Sequence, residues 1–221
     1  MDRSRFPVVM VLVGGLLLGS TLATLSGCAA NALATAWWVV KGTNTTAEFD
    51  GLKGKRVAVV CRPPASLHYS TTSSARELGS EVSRLLRANV KKIDMIDPRE
   101  VAKWTDSNTW NEPAEIGAAL DADMVVSLEL EDFRLYEGQT LYRGKATVSI
   151  RVFDLSKDDS LVFDKLPDQI IYPLTTGIPT TDKQESYFRR EFIRSIADQV
   201  ARTFYDYDSK DYFAPDSKAF Q

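Results

Sequence analysis

Two pairs of carboxylates, a single histidine and two cysteines are the residues of this 221-residue chain whose types could support chemistry. Glu129 with Glu131, and Asp121 with Asp123, stand close enough in sequence to serve as an acid and a base. Ion pairs on a sheet face and a turn account for the same residues more simply. His68 is the only histidine, so neither a histidine metal cluster nor a two-histidine relay can be assembled. It follows Pro63-Pro64 in a polar stretch and reads as an exposed loop residue. The hydroxyl-rich residues before Ser74 could place an anion at a helix N-terminus, but the Gly-Lys-Ser/Thr pattern of a phosphate loop is missing. The expectation is a protein that is not an enzyme, with no catalytic residues, no cofactor and no metal.

The cysteines differ in context. Cys61 ends the apolar run Val57 to Val60 and is expected as a buried thiol acting as a small hydrophobe, since a reactive thiol needs an exposed, electropositive setting. Cys28 closes a different pattern. Arg3 and Arg5 precede the apolar stretch Val8 to Leu18, small residues follow, and Leu25-Ser26-Gly27-Cys28 comes last. Positive start, short apolar core and small-residue end are the order of a secretion signal, and the core is shorter than the roughly 20 residues of a comfortable span.

Leu25-Ser26-Gly27-Cys28 resembles the lipobox of bacterial lipoproteins. The resemblance implies cleavage between Gly27 and Cys28, a diacylglycerol on the Cys28 thiol, and a fatty acyl chain such as palmitate on the new amino terminus. Ala29 after the cysteine, rather than Asp, implies sorting to the periplasmic face of the outer membrane; an inner-membrane location is the alternative. The competing reading of the segment is an uncleaved anchor from Val8 to Leu25, with Cys28 just outside the membrane. Both readings export the rest of the chain. Beyond Cys28, Ala29 to Val40 is apolar but too short to span, and it ends in Trp37-Trp38. Those rings either rest at the membrane interface or pack on the domain. Gly42 to Gly54 reads as linker.

Bulk composition agrees with one exported domain. The hydrophobic fraction is 44 %, enough for a real core. Lys plus Arg is 27 against 30 for Asp plus Glu, and loss of Asp2, Arg3 and Arg5 with the signal takes the net charge from −3 to about −4. No dense basic run offers the clustered field that phosphate neutralisation needs, so nucleic acid is not expected as a partner. Four segments are read: signal 1–27, membrane-proximal segment and linker 28–54, folded domain 55–207, and polar tail 208–221.

Within the domain, Arg56 to Cys61 is a compact β-branched run read as a buried strand. Ser74 and Glu77 have capping-box spacing, and Ala75, Leu78, Val82, Leu85 and Leu86 share a helical face to about Asn89. A short strand is expected at Ile93–Ile96, a helix from the cap Asp97 with Pro98 in its first position, and a third helix near Pro113–Leu120. Leu141 to Phe153 alternates apolar and polar residues strictly, as a strand buried on one face does. Val126, Leu128 and Leu130 alternate in the same way, and Glu137-Gly138-Gln139-Thr140 joins the two as a hairpin turn. Keeping both apolar rows on one side demands a β-bulge near Asp132-Phe133, with Glu129 and Glu131 facing Lys145 and Arg151. A strand at Leu161–Leu166, an irregular link between Pro173 and Pro179, and a long helix striped by Phe188, Phe192, Ile193, Ile196, Val200 and Phe204 complete the domain. The expected fold is α/β (α+β): a two-layer sandwich whose mixed sheet of about five strands carries helices on one face, including the long C-terminal helix.

That order of elements, with Ile116-Gly117-Ala118-Ala119-Leu120-Asp121-Ala122-Asp123-Met124-Val125-Val126 running from a helix end straight into a central strand, resembles the domain of three proteins. They are the curli secretion lipoprotein, the penicillin-binding-protein activator lipoproteins and the N-terminal domain of TolB. The resemblance spans about Lys55 to Tyr207. It implies a non-catalytic scaffold or accessory subunit of a cell-envelope assembly, secretion or transport complex. The membrane is then a partner through lipidated Cys28, and envelope proteins or further copies of the chain are the protein partners. The hairpins here are too short for a barrel wall, which argues against a pore, and the linker is short for crossing a cell wall. The alternative readings are a carrier holding a small apolar ligand or lipid in a cavity, and a hydrolase using the paired carboxylates.

Overall fold

The centre of the molecule is the pair of long strands that the alternating pattern predicts. In the computed structural model, which describes residues 44–63, 69–157 and 160–208, the sheet begins with β1 (Arg56–Arg62) and β2 (Asp94–Met95). It continues with β3 (Met124–Glu137), β4 (Leu141–Asp154) and β5 (Ser160–Tyr172), and β6 (Ile178–Pro179) pairs with the start of β4. The spatial order is β2-β1-β3-β4-β5, parallel from β2 to β3 and antiparallel beyond. Among the described residues four α-helices accompany it: α1 (Tyr69–Asn89), α2 (Pro98–Ser107), α3 (Pro113–Ala119) and α4 (Glu185–Ala201). The described residues from Thr45 onward belong to one compact unit. Among the described residues no helix is long and apolar enough to cross a membrane.

The bulge falls where the slipped alternation puts it. The β3–β4 register shifts between Leu130 and Asp132, leaving Glu131 exposed and returning Phe133 and Leu135 to the side that holds Leu128 and Leu130. Gly138 turns the hairpin with φ +68°, a conformation that costs glycine no steric clash. Against this apolar face lie α1, through Leu78, Val82 and Leu86, and α4, through Phe188, Phe192, Ile193, Ile196 and Val200. Aromatic rings fill the space under α4. Tyr142 stacks on Phe188 at 4.9 Å, Phe133 on Phe192 at 5.4 Å, and Tyr172 on Phe188 at 5.9 Å. Burial of a ring of this size is worth roughly 1.5–3 kcal/mol, so this stack holds the terminal helix to the sheet.

The mixed sheet and the long terminal helix are as expected, and the structure adds three features. First, helices occupy both faces at the parallel end. Ala58, Val60 and Val125 point away from α1 and pack on Ile96, Val101 and Ile116, with Trp104 and Trp110 at the margin. The parallel strands are thus buried on both sides, as parallel strands generally are. Second, the expected linker folds onto the domain. Leu52 is fully buried, Phe49 contacts Phe163 at 5.2 Å, Phe49 N donates to Thr203 O at 3.0 Å, and Ala47 N donates to Asp206 Oδ1 at 2.9 Å. Two isolated apolar residues between glycines carry no period, which is why this segment reads as polar linker. Third, two elements run longer than their sequence signals. Helix α1 starts at Tyr69, with Ser74 buried inside it rather than capping it, because packing of the later turns overrides the weak helix preference of the hydroxyl residues. Strand β5 passes through Pro167, which is tolerated at an edge strand, where a register shift sets Leu166 outward at 80 % exposure.

Candidate functional site

Each residue that could carry chemistry sits on an element that explains its place. Asp123 precedes β3, and its Oδ2 accepts from Arg56 N at 2.8 Å while its own N–H donates to Arg56 O at 2.8 Å. It therefore closes the start of β1, a structural task. Asp121 lies in the tight turn between α3 and β3 at φ +55°. Glu129 faces outward from β3 and accepts from Arg151 Nη2 at 2.9 Å, as expected. Lys145 instead approaches Glu137 at 3.8 Å, because the bulge carries Glu131 away into solvent. Asp123 and Glu129 are thus each held in a structural contact, while Glu131 is exposed.

Cys61 lies at the end of β1, beside Gly79 of α1. It is half-buried rather than fully buried as expected, and desolvation, with secondarily the negative charge of Glu129, pushes its thiol up to about 12. Among the described residues no three of His, Cys, Asp and Glu converge as metal ligands. Cys28, Gly27, Trp37, Trp38 and His68 all lie outside the described residues.

Two concavities flank β1 at the carboxyl end of the parallel strands, and a third, of about 430 Å³, lies along α1 from Thr72 to Glu81. Beyond Val57, β1 has no strand neighbour on its β2 side among the described residues, since that pairing covers only Arg56 and Val57. The resulting groove of about 200 Å³ runs between α1 and α2 over Val59 and Cys61. An ion pair, Arg76 Nη2 to Asp106 Oδ1 at 2.7 Å, bridges its two helices. On the other side of β1, where α3 stops covering the sheet, a polar pocket of about 100 Å³ is lined by Arg62, Ser127, Glu129 and Arg151. The Arg62 guanidinium lies 4.0 Å over the Trp110 ring and donates to Asn111 O at 2.7 Å. The Glu115 carboxylate beside it accepts from Glu112 N at 2.9 Å and Asn111 N at 3.1 Å, which holds its pKa below the usual range. No sequence motif marks this pocket. Its residues come from three strands and a loop, and only the register joins them.

The sequence matches no protein-family model and no curated protein. Solved structures of similar fold include the PelC dodecamer from Paraburkholderia phytofirmans, at 14 % identity and a TM-score of 0.45 over 73 % of this chain and 96 % of that one. They also include lipoprotein GNA1162 from Neisseria meningitidis, at 11 % identity and a TM-score of 0.38 over 66 % of this chain and 96 % of that one. The LpoB C-terminal domain from Salmonella enterica is similar at 11 % identity and a TM-score of 0.37 over 56 % of this chain and 87 % of that one.

Proposed function

We propose that this chain is an exported lipoprotein, acylated at Cys28, whose α/β domain acts without catalysis as a scaffold or accessory subunit of a cell-envelope complex. The observation that carries the reading is Leu25-Ser26-Gly27-Cys28 directly after a secretion signal led by Arg3 and Arg5. Ala47 N donates to Asp206 Oδ1 at 2.9 Å, so the fold already holds the chain 19 positions after Cys28 in sequence. A domain held that close works beside its own membrane, the outer membrane by the Ala29 rule, with the inner membrane as the other site. Envelope proteins or further copies of the chain are its partners.

Asp123 and Glu129 support a non-catalytic role, because Asp123 accepts from Arg56 N and Glu129 from Arg151. The aromatic filling between α4 and the sheet speaks against an apolar cargo at that interface. The test is site-specific cross-linking in intact cells from the exposed side chains Leu166 and Tyr187, comparing the natural chain with Cys28→Ser. A discrete adduct with an envelope protein or a second copy, lost when Cys28→Ser releases the chain from the membrane, is the expected result. Identical adducts from the released chain would contradict an anchored role.

A further inference from the structure

The outer face of the sheet holds a nearly buried polar side chain at the edge of a pocket. Ser127, in the middle of β3, is 5 % exposed and lines that pocket. The pocket is the polar one of about 100 Å³. In register, Ser127 stands opposite Arg151 of β4 and Val60 of β1, while Glu129 stands opposite Arg62. Guanidinium groups from the two neighbouring strands therefore flank the hydroxyl. Among the described residues each is oriented by a single hydrogen bond, Arg62 Nη2 to Asn111 O at 2.7 Å and Arg151 Nη2 to Glu129 Oε2 at 2.9 Å. A guanidinium has five N–H donors, so both keep several for something else.

We propose that this pocket binds a carboxylate, held between Arg62 and Arg151 with the Ser127 hydroxyl as a third donor. The charge of the site selects among anions. Glu112 and Glu129 share the lining, and their two negative charges offset those of the two arginines. A phosphate dianion would meet both glutamates, whereas a carboxylate brings one charge and two coplanar oxygens that match the fork of a guanidinium. Such a group is supplied by a free organic acid or by the C-terminus of a peptide.

The test is titration of the full-length chain in detergent micelles, following the Nε–H signals of Arg62 and Arg151 by NMR. The probes are acetate, inorganic phosphate, and tri-alanine with a free or an amidated C-terminus. Saturable shifts with acetate and the free-ended peptide, and none with the amidated peptide, are expected. Acetate matching the peptide identifies a free acid as the natural source, and a tighter peptide identifies a chain terminus. Ser127→Ala and Arg151→Gln should each weaken binding about ten-fold or more. Glu129→Gln, which frees Arg151 from its internal carboxylate, should tighten it, an effect that a purely structural pair would not produce. Absence of saturation in the natural chain, equal shifts with the amidated peptide, phosphate binding tighter than acetate, or unchanged affinity in Arg151→Gln would each overturn the assignment.

Discussion

Gly144 of β4 lies directly beneath the ring of Phe192 of α4: a Cβ at this position would stand 2.6 Å from the ring atoms. The ring cannot withdraw, because it is fully buried and stacked on Phe133 at 5.4 Å. Gly144→Ala therefore forces α4 off the sheet and should cost about 1–3 kcal/mol, read as a lower urea midpoint at unchanged slope. An unaltered midpoint would mean that helix and sheet are not packed in this register.

The segment ahead of β1 is part of the core. Leu52→Ala should destabilise the domain by about 2–5 kcal/mol, as for other fully buried leucines, whereas Lys53→Ala, at a solvent-exposed ion pair with Asp50, should stay within about 0.5 kcal/mol. Chemical denaturation of both variants separates these outcomes. Equal, small effects would show that the domain begins after Leu52.

Acid sensitivity should involve Asp97. Its carboxylate caps α2 by accepting from Arg99 N at 2.9 Å, and the Arg99 side chain, the largest cause, helps hold its pKa down to about 2. A depressed folded pKa means that this contribution is complete above the ordinary aspartate value of about 3.9 and is lost as pH falls towards 2. Asp97→Asn keeps a capping oxygen but removes the charge, so the fall in stability between about pH 4 and pH 2 should be shallower than in the natural chain. An identical acid limb in both proteins would show that Asp97 contributes nothing there.

Cys61 should resist alkylation. With its half-buried thiol pushed up to about 12, iodoacetamide at pH 8 should label Cys61 much more slowly in the folded chain than in denaturant. Peptide mapping after a timed pulse reads the difference. Rapid labelling of the folded protein would place the thiol in a different environment.

The features legible in the sequence are those with a period. Strict alternation from Leu141 to Phe153 marks β4, and the slip near Asp132-Phe133 marks the bulge, because one face of the sheet has to stay dry. The stripe of α4 was equally plain. The second helical layer was not, since α2 and α3 are only three and two turns long and reach the sheet through a few residues such as Val101 and Ile116. The polar pocket was the least legible of all. Arg62, Ser127 and Arg151 are remote in sequence and each is ordinary on a strand, so their meeting depends on strand order and register, which composition and spacing do not encode.

The central claim is that the folded part works tethered by Cys28, and intact-mass spectrometry of the chain purified from bacterial membranes tests it most directly. The account predicts a species that begins at Cys28 and exceeds its polypeptide mass by a diacylglyceryl group and a fatty acyl chain. A chain that retains Met1, or that carries a free thiol at position 28, would contradict it.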